Sequence, residues 1–306
     1  MPKTARAVEW PTLVMLALTY AVWIAGTMIW SWSGVLAIVL TAVAVAQFSS
    51  LQHEVLHGHP FETQWVNEAL VFPALALVVP YIRFKDTHLQ HHYDPNLTDP
   101  YDDPESNYLD PKVWEARSRF AQKILRLNNT LLGRMLFGPA VGTWYFVKGD
   151  TALMKAGDAR VRLAWVLNAV GVAMVLVWLW TVGSMPLLAY VVSVYLGTSL
   201  LKIRTFLEHR AHEKFRARTV IIEDRGPLSY LFLNNNFHVI HHCMPNVPWY
   251  ALPGLYAARR EHYQRRNEAY VYRSYADIFR LYFLRAKDPV PHPVWPVRKS
   301  ESPDAM

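Results

Sequence analysis

Two long uncharged runs limit this chain to the few folds that can cross a lipid bilayer. Residues 10–52 form a run of 43 residues without a charged side chain. A hydrocarbon core of about 30 Å takes roughly 20 helical residues, so this run holds two helices joined near Ser31–Gly34. A second run, residues 163–201, divides near Gly183–Pro186. We therefore predict two transmembrane helical hairpins, with four spans at about 11–30, 35–52, 163–182 and 186–207.

The composition agrees with a membrane protein, because 52% of the residues are hydrophobic and 18% are charged. The single cysteine, Cys243, excludes an internal disulfide framework and an iron–sulfur centre held by the chain's own cysteines. The net charge of +7 comes with no nucleic-acid recognition motif, so we expect no nucleic-acid partner. Basic residues beside the spans explain the charge better.

The distribution of basic residues predicts the orientation of the spans. Neither short connection between paired spans contains lysine or arginine, whereas the remaining segments are rich in both. The positive-inside rule therefore places both termini in the cytoplasm. It also predicts a cytoplasmic helical cap formed by residues 83–160 and 208–285. We predict a single domain over residues 1–290 and a disordered, proline-rich tail over residues 291–306.

Several other segments carry weaker signals. Residues 69–82 are too short to span and contain two prolines, which favours a re-entrant or interfacial hairpin. Residues 131–147 are interrupted by glycines and a proline, and we expect them to lie on the membrane surface. The acidic loop DPNLTDPYDDPES could supply carboxylates to a metal or a partner, but a solvated loop is the commoner explanation. Trp23, Trp30, Trp32, Trp178 and Trp180 are read as membrane-interface anchors.

The histidines are concentrated in four short windows, which hold or adjoin 11 of the 13. HLQHH at 88–92 and HVIHH at 238–242 have the same HxxHH spacing, whose members share one face of a helix. HEVLH at 53–57 and EHRAH at 208–212 complete the set. We interpret the windows as one polynuclear metal site. So many histidines exceed the three ligands of a catalytic zinc, and redox-active iron suits two adjacent metals.

These spacings on two membrane hairpins resemble the membrane fatty-acid desaturase and hydroxylase superfamily, up to about residue 255. The segment HHCMPNVPWYALP is similar to a tail found in bacterial desaturases and carotenoid ketolases, which suggests a bacterial branch. The resemblance implies a cytoplasmic di-iron centre. The ligands that it implies are His53, His57, His88, His91, His92, His209, His238, His241 and His242. His212 is the alternative to His209, and Asn234, Asn235 and Asn236 are possible further ligands.

The resemblance also implies an oxidoreductase that uses dioxygen to abstract hydrogen from an unactivated C–H bond of a lipid. Desaturation of an acyl lipid is the first expectation, without catalytic residues beyond the ligands. Hydroxylation or a carotenoid-type ketolation stays open, because the same ligands serve all three. Electrons would come from an external ferredoxin, rubredoxin or haem protein with its reductase. We expect a bacterial inner membrane.

The window His53–His57 allows one alternative from another enzyme class. It also matches HExxH, the helix of zinc proteases in which the glutamate, here Glu54, is the general base. An intramembrane zinc protease needs only one further ligand, so this reading leaves both HxxHH windows unexplained.

Overall fold

The computed structural model of the protein describes residues 8–94 and 96–296, which are mostly helical, as predicted. The helices are α1 (Trp10–Met28), α2 (Gly34–Leu56), α3 (Gln64–Leu70), α4 (Tyr81–Tyr93), α5 (Pro111–Glu115), α6 (Arg119–Asn128), α7 (Leu131–Lys155), α8 (Ala159–Thr181), α9 (Leu187–Thr205), α10 (Pro227–Leu231), α11 (His238–Cys243), α12 (Leu252–Ala258), α13 (Arg260–Arg266) and α14 (Tyr275–Tyr282). A 3-10 helix spans Phe215–Ala217. Two short strands, β1 (Ile221–Ile222) and β2 (Val271–Tyr272), are an addition to the predicted helical fold.

Four helices, α1, α2, α8 and α9, are long and apolar enough to cross a membrane. They follow one another as two hairpins, which confirms the predicted four-span plan. Polar caps begin two of them: the Ser33 side chain accepts from Leu36 N, and the Asp158 side chain accepts from Arg160 N. Helix α2 continues to Leu56, so it carries His53 beyond the predicted end of the span.

The chain divides into two compact units. Unit 1 comprises residues 1–85 and 139–201, and unit 2 comprises residues 86–138 and 202–306, in each case as far as they are described. Unit 1 therefore holds α1, α2, α3 and α8 with most of α7 and α9. That the two units form one domain over residues 1–290 stays a prediction.

The two hairpins of unit 1 are joined by hydrogen bonds at Thr27. Its carbonyl oxygen accepts from Ser184 N at 2.9 Å, and its hydroxyl accepts from Trp178 Nε1 at 3.0 Å. Trp23 is only 5% exposed and donates from Nε1 to the Tyr190 hydroxyl. The interpretation of Trp23 as an interface anchor is therefore wrong, because its indole joins the hairpins inside the unit.

Residues 71–80 connect α3 to α4 without regular structure. Side chains of the long helices satisfy its carbonyl groups: Tyr190 OH donates to Leu75 O at 2.8 Å, and Asn168 Nδ2 donates to Leu77 O at 2.9 Å. Irregular backbone in an apolar environment requires such partners. The segment is thus an irregular connection whose carbonyl groups at Leu75 and Leu77 accept hydrogen bonds from the long helices. That it enters the bilayer or lies at its interface stays a prediction.

Helix α7 is continuous across the segment that glycines and a proline interrupt in the sequence. Pro139 lies inside it, and the helix runs on to Lys155. Among the described residues α7 is long enough to span but is not one of the four helices that are also apolar enough to cross a membrane. Its place on the membrane surface stays a prediction.

Close packing of α2 against α9 depends on Gly197. A Cβ atom there would lie 2.6 Å from Ala42 O and 2.9 Å from Val45 Cβ. We expect Gly197→Ala to reduce the free energy of unfolding by about 1–3 kcal/mol, because the helices must move apart. The thermal midpoint in detergent, followed by tryptophan fluorescence, measures this. Gly149→Ala is the matched control, since a Cβ at that exposed helical site meets nothing within 4 Å; equal midpoints would contradict the prediction.

Unit 2 is organised around a small core beneath α11. Strands β1 and β2 pair in parallel with Ile221 opposite Val271, and Ile222 N donates to Asn236 O at 2.9 Å. The core consists of Ile221, Phe237, Val239, Ile240, Leu252, Tyr256 and Tyr263. The apolar residues of α11 are thereby fixed in this core, which sets the direction of its histidines.

The predicted disordered tail is packed over its first residues. His292 N donates to Leu109 O at 2.8 Å, and the buried His292 ring contacts Thr98 Oγ1 at 3.2 Å. The prediction is therefore wrong for residues 291–296, because the extended segment finds backbone and side-chain partners in the loop before α5. Residues 297–306 lie outside the described residues.

Candidate metal centre

Four histidines of unit 2 meet at one point. His91 comes from α4, His209 follows α9, and His238 and His242 come from α11. Each offers one ring nitrogen, and these four atoms lie within 4.8 Å of one another. His209 Nε2 is 2.9 Å from His91 Nε2 and 3.0 Å from His238 Nε2. We call this set the four-histidine group.

A second set, the three-histidine group, consists of His88, His92 and His241. Nε2 of His92 lies 3.0 Å from Nε2 of His88 and 3.0 Å from Nε2 of His241. The two groups are neighbours, since the rings of His92 and His242 stack with centroids 4.2 Å apart. Unit 2 therefore contains two adjacent clusters of imidazole nitrogens.

The two HxxHH windows are divided between these groups in opposite ways. In α4 the first and last histidines join the three-histidine group, and the middle one, His91, joins the four-histidine group. In α11 the first and last join the four-histidine group, and the middle one, His241, joins the other. Adjacent residues of a helix are rotated by about 100°, so positions i+3 and i+4 diverge to two sides of their shared face.

His53 and His57 lie in unit 1, at the end of α2. His53 occupies the last turn of the helix and His57 is its C-cap residue. Both side chains are buried, and their ring centroids are 5.0 Å apart. The i, i+4 spacing thus presents the two imidazoles together, as the sequence predicts.

The alternative and additional ligands behave differently. His212 belongs to neither group, and its Nδ1 accepts from Lys214 N at 3.0 Å. Asn234 donates to Trp249 O, and Asn236 donates to Ile222 O. Asn235 Oδ1 lies 3.2 Å from His238 Nδ1. The geometry therefore favours His209 over His212, and gives Asn235 a hydrogen bond with a histidine.

Two carboxylates of the loop between α4 and α5 hold histidines of both groups. His91 Nδ1 donates to Asp103 Oδ1 at 2.7 Å, and His88 Nδ1 donates to Glu105 Oε1 at 2.8 Å. Asp103 is only 4% exposed. The solvated-loop reading is therefore wrong for these residues, because the loop folds back onto α4. The acidic loop sequence indicated that carboxylates are close to the second histidine window in the chain. It does not show which of them form hydrogen bonds with the histidines of α4.

The residues present fit metal cations. A histidine that donates from Nδ1 to a carboxylate carries its lone pair on Nε2. The Nε2 atoms of His91 and His88 therefore point lone pairs at other imidazole nitrogens about 3 Å away. Such contacts repel unless a proton or a cation lies between them. All-nitrogen donor sets suit zinc, copper, iron and nickel, and the two groups give room for two ions.

Burial prepares most of the four-histidine group for ligation. It lowers the pKa of His209, His238 and His242 well below the usual value, and the charges of neighbouring histidines add to this effect. Neutral imidazole is the form that binds metals. For His91 burial also opposes protonation, but Glu105 and Asp103 outweigh it and raise the pKa to about 9. Those carboxylates hold the Nδ1 proton, and a metal would have to displace the proton on Nε2 before that nitrogen could bind it.

A chain of buried polar groups lies behind His238. His238 Nδ1 donates to Asn235 Oδ1, and Asn235 Nδ2 donates to Glu208 Oε1 at 2.6 Å. Arg204 Nε donates to the same oxygen at 2.9 Å. All four residues are buried. The chain fixes the ring orientation of His238 and directs its Nε2 into the four-histidine group.

Asn235→Ala tests this chain. We expect metal to bind about tenfold more weakly, because His238 loses the acceptor that fixes its ring. Competition of the Co²⁺-loaded protein with a chromophoric chelator measures the affinity. Asn246→Ala, at an exposed asparagine just beyond α11, is the control. Unchanged affinity in both variants would show that Asn235 does not position His238.

A comparison with protein families agrees with this geometry. The family model described as fatty acid desaturase matches residues 29–274, which is more than half of the chain. The matched range includes both histidine groups, His53 and His57, and three of the four candidate spans in full. A search of curated proteins finds no match.

Proposed function

Because the chain belongs to the fatty acid desaturase family, we propose that it is an oxygen-dependent di-iron desaturase of a lipid acyl chain. The family makes it an oxidoreductase on a desaturase and hydroxylase scaffold, and the four apolar helices make it an integral membrane protein. The observation that carries the proposal is the interleaved pair of histidine groups. A single zinc would not require two such clusters.

The proposed ligands are the nine histidines that the sequence predicts. Seven belong to the two groups of unit 2. His53 and His57 are proposed from their spacing, their burial and their place within the family match. The nine are His53, His57, His88, His91, His92, His209, His238, His241 and His242.

The roles of the other residues follow from their contacts. Two bound irons would supply the redox chemistry that activates dioxygen. Asp103 and Glu105 retain protons on the Nδ1 atoms of His91 and His88, so that Nε2 faces inward. Asn235 does the same for His238. Burial of the imidazoles excludes bulk water, which strengthens each electrostatic interaction at the site.

The substrate and location are proposed from the family and the charge pattern. A membrane-embedded lipid is the substrate class that suits a member of this family with four apolar helices. We place the site on the cytoplasmic side of a bacterial inner membrane, since the basic residues lie outside the short span connections. Hydroxylation or ketolation on the same scaffold is the alternative outcome.

The test is a single turnover in lipid nanodiscs. Protein loaded with Fe²⁺ is reduced anaerobically with dithionite, freed of the reductant and mixed with oxygenated buffer. We expect about two irons per chain. Mass spectrometry should find acyl chains that have lost two hydrogens, which are absent when oxygen is omitted.

Two other outcomes would contradict the proposal. Acyl chains that gain one oxygen would assign the chain to the hydroxylase alternative. One tightly held zinc per chain, with cleavage of a membrane peptide and no lipid product, would support the HExxH protease instead.

A further inference from the structure

His209 is the one member of the two histidine groups of unit 2 that does not lie on a helix. The other six belong to α4 or α11, whose backbone hydrogen bonds fix their directions, whereas His209 follows the end of α9 at Thr205. Its Nε2 still lies within 3.0 Å of the Nε2 atoms of His91 and His238. Contacts other than those of a helix must therefore hold its backbone in place.

One edge of the segment around His209 is paired with a neighbouring stretch of backbone. Val220 N donates to Glu208 O at 3.1 Å, and Arg210 N donates to Arg218 O at 2.9 Å. These two hydrogen bonds form an isolated antiparallel bridge in which His209 is the non-hydrogen-bonded member. In such a bridge the N–H and carbonyl groups of that residue point away from the paired strand. The carbonyl group of His209 therefore needs a partner on the other edge.

A lysine and a tyrosine occupy that other edge. Lys287 Nζ donates to His209 O at 2.7 Å, and Tyr108 OH accepts from Ala211 N at 2.9 Å. Asp288 joins the two, because its carboxylate accepts from Tyr108 OH and lies 3.4 Å from Lys287 Nζ. The three side chains thus take the place of a further strand along the segment. We call Lys287, Asp288 and Tyr108 the supporting triad.

The supporting triad is itself fixed within unit 2. Lys287 N donates to Asn129 O at 3.1 Å, and the Asn129 side-chain amide donates to Asp288 O. Two residues further on, Leu109 N donates to Val290 O at 3.0 Å. The segment that carries Lys287 is therefore held by its backbone on both sides of Asp288, which gives the ammonium group a defined position.

The burial of Lys287 is unfavourable for the stability of the fold. Its side chain is only 4% exposed, and removing an ammonium group from water is costly unless it is paired and hydrogen-bonded. Replacing a buried ion pair by apolar side chains is often neutral or stabilising. An apolar residue would therefore serve stability equally well at this position. Such a residue could not donate a hydrogen bond to the carbonyl group of His209.

Resting on the ligand set of the proposed function, we propose that Lys287 is a positioning residue for His209. Its ammonium group holds the backbone of His209, and Asp288 orients that ammonium group. Tyr108 holds the next backbone donor of the same edge, at Ala211. The imidazole of His209 thereby keeps its Nε2 directed into the four-histidine group. Loss of such a partner of a metal ligand weakens metal binding by about 10- to 100-fold.

Cobalt binding tests this role without requiring turnover. The full chain in nanodiscs is loaded with Co²⁺, and competition with a chromophoric chelator gives the affinity for each ion. We expect Lys287→Met to weaken the binding of one of two ions about tenfold and to change its visible absorption bands, because the nitrogen of His209 is displaced. Lys287→Arg can donate to the same carbonyl group and should restore most of the affinity. Arg285→Met removes an exposed cation from the same segment and should leave both affinities unchanged.

A double-mutant cycle separates positioning from a general loss of stability. His209→Ala removes the ligand through which Lys287 acts, so adding Lys287→Met to it should weaken Co²⁺ binding no further. Additive losses, or equal weakening of both ions by Lys287→Met, would overturn the proposal.

A milder variant carries the test if Lys287→Met does not fold. Tyr108→Phe keeps the buried ring and removes only the hydroxyl group that accepts from Ala211 N and donates to Asp288. We expect it to weaken the same ion by a smaller factor, because Lys287 keeps its contact with His209. Unchanged affinity in this variant would count against the supporting triad.

The outcomes separate this proposal from the proposed function. Full affinity in Lys287→Met, together with lost affinity in His209→Ala, overturns the positioning role and leaves the ligand set standing. Full affinity in His209→Ala counts against the ligand set and overturns the positioning role with it. Neither result depends on the lipid product, which the single-turnover experiment determines.

Discussion

Replacing Asp103 by alanine should weaken metal binding by about 10- to 100-fold and lower turnover by a similar factor. Asp103 Oδ1 accepts from His91 Nδ1, and the same carboxylate accepts from the backbone N–H groups of Thr98 and Glu105. The variant therefore frees His91 and also loosens the loop whose Glu105 holds His88. One substitution disturbs a histidine in each group. Metal content by mass spectrometry after dialysis against a chelator measures the loss.

The neighbouring residue provides a matched control for this prediction. Asp102→Asn removes the same charge from the same loop, but the contacts of that carboxylate are to Asn96 rather than to a histidine. We expect it to retain metal as well as the wild-type protein does. Equal metal loss in the two variants would mean that the loop acts through its total charge, and would contradict the positioning role of Asp103.

Replacing Arg204 by methionine should reduce the free energy of unfolding by about 3–5 kcal/mol. Arg204 Nε donates to Glu208 Oε1, and both side chains are buried. The variant leaves the Glu208 carboxylate without its cation in a site that water does not reach. Asn235 Nδ2 would still donate to it, but that amide carries no charge. The thermal midpoint in detergent, followed by tryptophan fluorescence, should fall accordingly.

The double variant Arg204→Met with Glu208→Leu separates stability from positioning. Removing both partners of a buried ion pair leaves no unpaired charge, so most of the lost stability should return. Metal affinity should stay low, because Asn235 loses the acceptor for its amide and His238 loses its fixed orientation. Recovery of both properties would show that Arg204 and Glu208 only stabilise the fold.

The membrane part of the fold could be predicted from local sequence because lipid imposes a simple rule. A run of about 20 uncharged residues is long enough to span, and four such helices are present. Trp23 shows where the rule ends: tryptophan suits both a membrane interface and a hydrogen bond to Tyr190. Whether Trp23 lies at the interface or inside the unit depends on its packing against the second hairpin. The sequence around Trp23 does not contain that information.

The histidines could be found from spacing, but their supporting residues could not. HxxHH fixes a shared helix face wherever the helix lies, and the six histidines of the two such windows meet with His209 within unit 2. Asp103 and Glu208 act through tertiary contacts made 12 and 27 residues away in the chain. A period along one helix contains no information on such contacts. The packed residues 291–296 were missed for the same reason.

The exchange of histidines between α4 and α11 has a mechanical consequence. Each helix supplies both groups, so turning either helix about its axis would move nitrogen donors at both places simultaneously. Inserting one residue ahead of HLQHH or HVIHH would rotate the window by about 100° and misplace donors on both sides. Movement of either helix would therefore displace proposed ligands of both ions together. Neither helix can change the coordination of one proposed ion without changing that of the other.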